Sequence, residues 1–110
     1  MDSASLTTLI DRTRDEDPRI RRAALRELCP CDLKRNLDPA WDHVLEMVDD
    51  PDASVRSIVL HTLCDGSPGE RLAEVVEALE KLAQYPDRRL RRRARDILAK
   101  HRRTGRVNFL

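Results

Sequence analysis

The sequence predicts an all-α protein, an α-solenoid of six helices arranged in three pairs, on the basis of three observations. First, shifting the chain by 35 residues superposes like residues without a gap, as at Leu28, Leu63 and Leu98. Second, apolar residues within each unit recur at helical spacing, as at Val55, Val59 and Leu63. Third, no segment shows the apolar-polar alternation of a strand. The 110 residues are therefore predicted to form a single domain.

Each repeat is predicted to consist of two helices joined by a short turn. The repeats span about residues 3–31, 38–66 and 68–103, followed by a tail at 104–110. The first helices are predicted over 3–14, 39–48 and 68–84. Each second helix follows a turn with an aspartate suited to cap free amide groups, namely Asp17, Asp52 and Asp87.

The superposed apolar stripe predicts which side chains are buried. Its members are Leu9, Val44, Leu79, Ile20, Val55, Leu90, Ala24, Val59, Ala94, Leu28, Leu63 and Leu98. Repeat 3 departs from the other two by placing Glu80, Arg93 and Arg95 where they have apolar residues. A terminal repeat needs a polar outer face. The chain is therefore predicted to be a complete three-repeat protein.

The turns and the starts of the second helices resemble HEAT repeats, and the resemblance covers essentially the whole chain. The match is close in DPDASVRSIVLHTL (50–63), good in DEDPRIRRAALREL (15–28) and weaker in YPDRRLRRRARDIL (85–98). It implies a right-handed stack with the first helices on the convex face and the second helices on the concave face. It also implies a structural ladder between repeats formed by the turn aspartates and the arginines that follow them: Asp17, Asp52, Asp87, Arg21, Arg56 and Arg91.

The three cysteines allow two interpretations. Cys29 and Cys64 superpose directly after the last core leucine of their second helices, which favours packing residues at helix ends, with Pro30 stopping the first of these helices. Alternatively, Cys29, Cys31, His61 and Cys64 could form a Cys3His zinc site between neighbouring helices. A disulfide between Cys29 and Cys64 is disfavoured, because stacked helices lie about 8–10 Å apart. The favoured prediction is that the chain binds no metal and no other cofactor.

Charge is strongly polarised along the chain although the formal net charge is only +1. Residues 87–106 hold ten basic and two acidic side chains, a net of +8, whereas residues 36–86 hold three basic and eleven acidic ones, a net of −8. Such asymmetry indicates an anionic partner for the C-terminal region. The three aromatic residues offer no stacking platform for single-stranded nucleic acid.

The lack of catalytic motifs favours binding over catalysis. The sequence has no glycine-rich phosphate loop, no H-E-x-x-H and no nucleophile elbow. We therefore expect a monomeric, cytoplasmic adaptor without enzymatic activity that docks a protein partner, with no membrane segment. The docking surface predicted on the second helices and the C-terminal helix comprises Arg22, Arg26, Ser57, His61, Arg89, Arg92, Arg102 and Arg103. HEAT-like proteins include DNA-binding enzymes, so binding of duplex phosphates is the alternative. The tail is expected to fold back onto the last helix pair.

Overall fold

The computed structural model describes residues 3–28 and 38–110, and within them the chain forms six α-helices and no strand. The helices are α1 (Ser3–Arg12), α2 (Pro18–Glu27), α3 (Asp38–Glu46), α4 (Ala53–Leu63), α5 (Leu72–Leu82) and α6 (Arg88–Thr104). Short 3-10 segments at Met47–Asp49 and Gly69–Arg71 extend α3 and precede α5. The prediction of an all-α protein with six helices is confirmed for the described residues.

The helices pack in the order that the repeat predicts. Consecutive helices pair as α1 with α2, α3 with α4 and α5 with α6. The first helices contact one another in the order α1, α3, α5, and the second helices in the order α2, α4, α6. The molecule measures 40 × 28 × 17 Å along its principal axes. The superhelical path of an α-solenoid remains a prediction.

Each second helix begins at its predicted aspartate cap. The Asp17 carboxylate accepts the backbone N–H of Arg19 at 2.9 Å. Asp52 accepts the N–H groups of Ser54 and Val55 at 2.8 and 3.2 Å, and Asp87 caps α6 in the same way. These bonds satisfy amide groups that have no partner within the helix. The three cap predictions are confirmed.

Eleven of the twelve side chains predicted to be buried are buried, and Ile20 is the exception. Ile20 is 40% exposed, whereas its counterparts Val55 and Leu90 are almost completely buried. The reason is position in the stack: α4 has a second helix on each side, but α2 contacts only α4 among the described second helices. The prediction for Ile20 is therefore wrong, because the end pair lacks a neighbour on this side.

The tail folds back, but its hydrogen bonds reach the end of α4 and the α4–α5 connection rather than the last helix pair onto which it was predicted to fold. The Asn108 side-chain oxygen accepts the backbone N–H groups of Gly66 and Ser67 at 2.8 and 2.9 Å, and its amide nitrogen donates to the Ser67 carbonyl oxygen. Val107 is buried. The Lys100 ammonium group lies 5.4 Å from the centre of the Phe109 ring. The tail thus joins α6 to the α4–α5 connection.

The start of the third pair differs from its prediction. Residues 69–71 form a 3-10 turn and α5 begins at Leu72, later than the predicted 68. The Ser67 hydroxyl donates to the Asn108 side chain at 3.2 Å.

Among the described helices, none is long and apolar enough to cross a membrane.

Candidate partner-binding surface

Arg21 forms the first rung of a ladder between helix pairs. Its Nε and Nη2 atoms donate to the two carboxylate oxygens of Asp50 at 2.9 and 3.1 Å. Its remaining nitrogen donates to the carbonyl oxygens of Asp15 and Glu16. The guanidinium group therefore joins α2 and the turn before it to the turn before α4. All three of its nitrogen atoms donate hydrogen bonds.

Arg56 repeats this arrangement one pair further along. Its guanidinium carbon lies 4.2 Å from the centre of the Tyr85 ring, and Nη1 donates to the Asp50 carbonyl oxygen at 2.7 Å. The 35-residue shift superposes Asp50 on Tyr85 and Asp15 on Asp50. Both arginines therefore bind the carbonyl six residues earlier and a side chain 29 residues later. The second rung uses a cation–π contact in place of an ion pair.

The composition of the ladder differs from the prediction. The arginines take part as predicted at Arg21 and Arg56, but Asp17, Asp52 and Asp87 serve as helix caps rather than rungs. Asp50 and Tyr85, two positions before the caps of α4 and α6, supply the rungs instead, because they lie opposite the arginine of the preceding pair. Arg91, the third predicted rung, has no such partner among the residues that the structure describes.

The second helices form a continuous surface that contains part of the predicted docking site. Arg22 on α2 donates to the Ser54 hydroxyl at the start of α4 at 2.9 Å. A groove of about 470 Å³ follows between the starts of α4 and α6. Its lining residues are Ala53, Ser54, Ser57, Asp87, Arg89, Leu90 and Arg93. The predicted residues Arg22, Ser57 and Arg89 therefore lie on neighbouring helices along one surface.

The remaining predicted residues lie apart from that groove. His61 is exposed near the end of α4, with its Nε2 atom 3.4 Å from an oxygen of Asp65. Arg26 is exposed in the last turn of α2, and Arg102 and Arg103 are exposed in the last turn of α6. Arg92 lines a separate depression on α6. The structure therefore does not bring the eight predicted residues together at one site.

The depression on α6 is lined by arginines alone. It measures about 300 Å³, and its lining residues are Arg88, Arg91, Arg92 and Arg95. We call these four residues the arginine stripe, because their spacing places them on one side of the helix. The long run of arginines in the sequence indicated a charged helix. The division of that run into two faces required the structure.

The zinc hypothesis concerns four residues, two of which the structure describes. Cys29 and Cys31 lie outside the described residues. Cys64 is fully buried, and burial raises the pKa of its thiol to about 12, while His61 on the same helix is exposed. Within the described part of the chain, no three His, Cys, Asp or Glu side chains are placed to hold a metal ion. The packing interpretation fits Cys64, and a zinc site at all four residues stays an untested alternative.

Some residues important to this surface were missed at the sequence level. Asp50 and Tyr85 form the rungs of the ladder, and Asn108 holds the tail. The superposition of Asp15, Asp50 and Tyr85 was visible in the repeat, but the change from carboxylate to aromatic ring concealed their shared role. Asn108 is not part of the repeat, so no periodic signal marks it.

Comparisons of the chain with models of protein families, with curated proteins and with solved structures each found no significant match. The resemblance to HEAT repeats therefore depends on the sequence pattern alone and remains a hypothesis.

Proposed function

We propose that the chain is a HEAT-like repeat scaffold that docks an acidic segment of a protein partner on its second helices and on α6. Its cytoplasmic location and monomeric state, expected from the sequence, belong to the same proposal. The supporting observation is the uncompensated positive charge of α6. Of its basic side chains, Lys100 pairs with Asp96, whereas the arginines from Arg88 to Arg95 have no acidic partner among the described residues.

The groove between α4 and α6 suits such a segment. It offers the guanidinium groups of Arg89 and Arg93 beside the Ser57 hydroxyl group, while Asp87 in the lining is engaged as the cap of α6. These groups can bind carboxylates and backbone carbonyl oxygens of an extended chain. Long-range attraction by the positive helix would also accelerate the encounter.

The proposal assigns binding and no reaction to this surface. Arginine stays protonated at physiological pH, so its guanidinium group attracts anions but does not transfer protons. The Cys64 thiol is buried and its pKa is raised, so it is a poor nucleophile. The chemistry available at the groove is therefore recognition by charge and shape.

Affinity purification from native cells can test the groove. The baits are the parent chain, an Arg89→Gln, Arg93→Gln variant, and an Arg12→Gln, Arg14→Gln control that removes equal charge at the end of α1. We expect the groove variant to lose proteins that the parent and the control both retain, with circular dichroism showing that all three baits fold. Equal recovery with all three baits would refute the groove as a docking site.

Nucleic acid is the competing ligand that this experiment must separate. Duplex binding neutralises many phosphates and weakens steeply with salt. The acidic region from residue 36 to 86, with its net charge of −8, would repel a polyanion that extends along the stack. Purification after nuclease treatment distinguishes the two: proteins that persist support the proposal. Loss of all proteins after nuclease treatment, with nucleic acid recovered when the nuclease is omitted, would contradict it.

A further inference from the structure

The arginine stripe places four positive charges on one side of α6. Each of Arg88, Arg91, Arg92 and Arg95 lies three or four residues from two others of the set, and all four line the same depression. Arg88, Arg92 and Arg95 are exposed, and Arg91 is half-buried. Residues at this spacing on a helix are neighbours in space. The stripe therefore brings four guanidinium groups together along about two turns.

Within the described chain no acidic side chain pairs with these like charges, since the nearby Asp87 carboxylate caps the start of α6 by accepting the backbone N–H of Leu90. None of the four guanidinium groups is in an ion pair or a side-chain hydrogen bond there, and the first turn of α6 contains no acidic residue. Like charges three or four residues apart repel one another, and the positive end of the helix dipole adds to the repulsion. A bound anion would relieve both effects.

The ladder indicates how one of these arginines binds. Arg91 superposes on Arg21 and Arg56, each of which holds a side chain from the next helix pair. At Arg21 that side chain is a carboxylate bound through two parallel hydrogen bonds. Arg91 is the last arginine of the described ladder. It has the same position on its helix as Arg21 and Arg56, but no side chain of a following pair binds it within the described residues.

We propose that the arginine stripe binds a helix of a protein partner that packs on α6 and supplies a carboxylate to Arg91, where the earlier rungs of the ladder use a turn residue. A partner carboxylate binds Arg91 with both oxygens, as Asp50 binds Arg21, and further acidic side chains at helical spacing bind the rest of the stripe. This inference rests on the proposed function and assigns the acidic segment to a particular site. A carboxylate is favoured over phosphate because the chain already builds the equivalent rung with one.

A synthetic peptide can test the site without knowledge of the native partner. The probe is a fluorescent, alanine-rich peptide of about 16 residues, long enough to form some helix in water, with four glutamates at the spacing of the stripe. A second peptide of the same composition distributes the glutamates around the helix. Fluorescence anisotropy at low salt measures binding of each peptide to the full chain.

Three variants separate a specific site from general attraction. We expect Arg91→Gln with Arg95→Gln to weaken binding of the matched peptide about tenfold, because two charge-assisted contacts are lost. We expect Arg12→Gln with Arg14→Gln, which removes the same charge at the end of α1, to weaken it less than about twofold. Arg91→Lys keeps the charge but loses the paired geometry and should weaken binding about fivefold.

Several results would overturn the inference. They are equal binding of the two peptides, equal loss with both double variants, no binding of the matched peptide, or tighter binding of an oligonucleotide that shows the same dependence on Arg91. A comparison of baits keeps this test apart from that of the proposed function. In the affinity purification, the Arg91→Gln, Arg95→Gln variant serves as a further bait. If it keeps native proteins that the Arg89→Gln, Arg93→Gln variant loses, the scaffold proposal stands and the stripe is not the docking site.

Discussion

Arg21 and Asp50 join the first two helix pairs through two hydrogen bonds, from Nε to Oδ2 at 2.9 Å and from Nη2 to Oδ1 at 3.1 Å. Their side chains are 12% and 7% exposed, so most of each charged group has lost contact with water. Asp50 also accepts the backbone N–H of Asp52, the cap of α4. One carboxylate thus fixes both the packing of α2 and the start of α4.

Replacing Arg21 tests the strength of this connection. Arg21→Met keeps much of the side-chain volume but leaves the Asp50 charge desolvated and unpaired. We expect the free energy of unfolding to fall by about 3 kcal/mol, as is typical when one partner of a buried pair is removed. Urea denaturation measures the change. Arg19→Met, which removes an exposed pair with Asp17, should leave stability nearly unchanged. Equal effects of the two substitutions would contradict the importance of the ladder.

A carboxylate introduced at matching positions of two repeats tests the register. Val55 is fully buried and Ile20 is 40% exposed, although the two residues superpose. Val55→Asp buries a charge without a partner and should cost more than about 4 kcal/mol, enough to unfold the chain. Ile20→Asp should cost less than about 1 kcal/mol, because the new carboxylate reaches water. Circular dichroism during heating measures both variants. Similar melting of Val55→Asp and the parent would show that the register is wrong.

The repeat pattern was sufficient to predict the helices, their caps and most of the core. These features depend on local periodicity and on the chemistry of single positions, both of which a sequence displays directly. The prediction that Ile20 is buried was wrong, because its burial depends on whether another helix pair packs beyond α2. A superposition of equivalent positions treats end and interior repeats alike, although their neighbours differ.

The binding surface was less predictable than the fold. The sequence indicated an unusually basic α6 but not which of its arginines line the groove beside α4 and which line the other depression, since that depends on the rotation of the helix relative to α4. The same limit applies to the ladder, where Tyr85 takes the place of a carboxylate. Substitutions that preserve a contact while changing its chemistry leave no periodic signal.

The aspartate caps should make the stability of the fold depend on pH in the acidic range. The hydrogen bond from the Ser54 side chain holds the pKa of Asp52 below its ordinary value of 3.8. A lowered pKa in the folded state stabilises the fold above the unfolded pKa, and this contribution is lost as the pH falls through the folded pKa. We expect the difference in melting temperature between the parent and Asp52→Asn to shrink from neutral pH to about pH 2.5. A constant difference across this range would argue against the charged cap.

The Cys64 thiol should react only when the fold opens. Burial raises its pKa to about 12, and the thiolate is the reactive form. In a Cys29→Ser, Cys31→Ser variant, which leaves Cys64 as the single cysteine, we expect negligible reaction with a disulfide reagent at about pH 8. Complete reaction should follow in denaturant. Rapid reaction of the folded variant would show that Cys64 is accessible, and would remove the packing interpretation.

Asn108 should contribute to stability although it lies outside the repeats. Its side-chain oxygen accepts two backbone N–H groups of the α4–α5 connection, and Ser67 is buried there. Asn108→Ala leaves these donors without their acceptor, so we expect a loss of about 1–2 kcal/mol in urea denaturation. Asn108→Asp retains an oxygen at that position and loses the donor to the Ser67 carbonyl, so it should cost less than the alanine variant. If neither substitution changes the denaturation midpoint, the tail does not stabilise the junction of the second and third pairs.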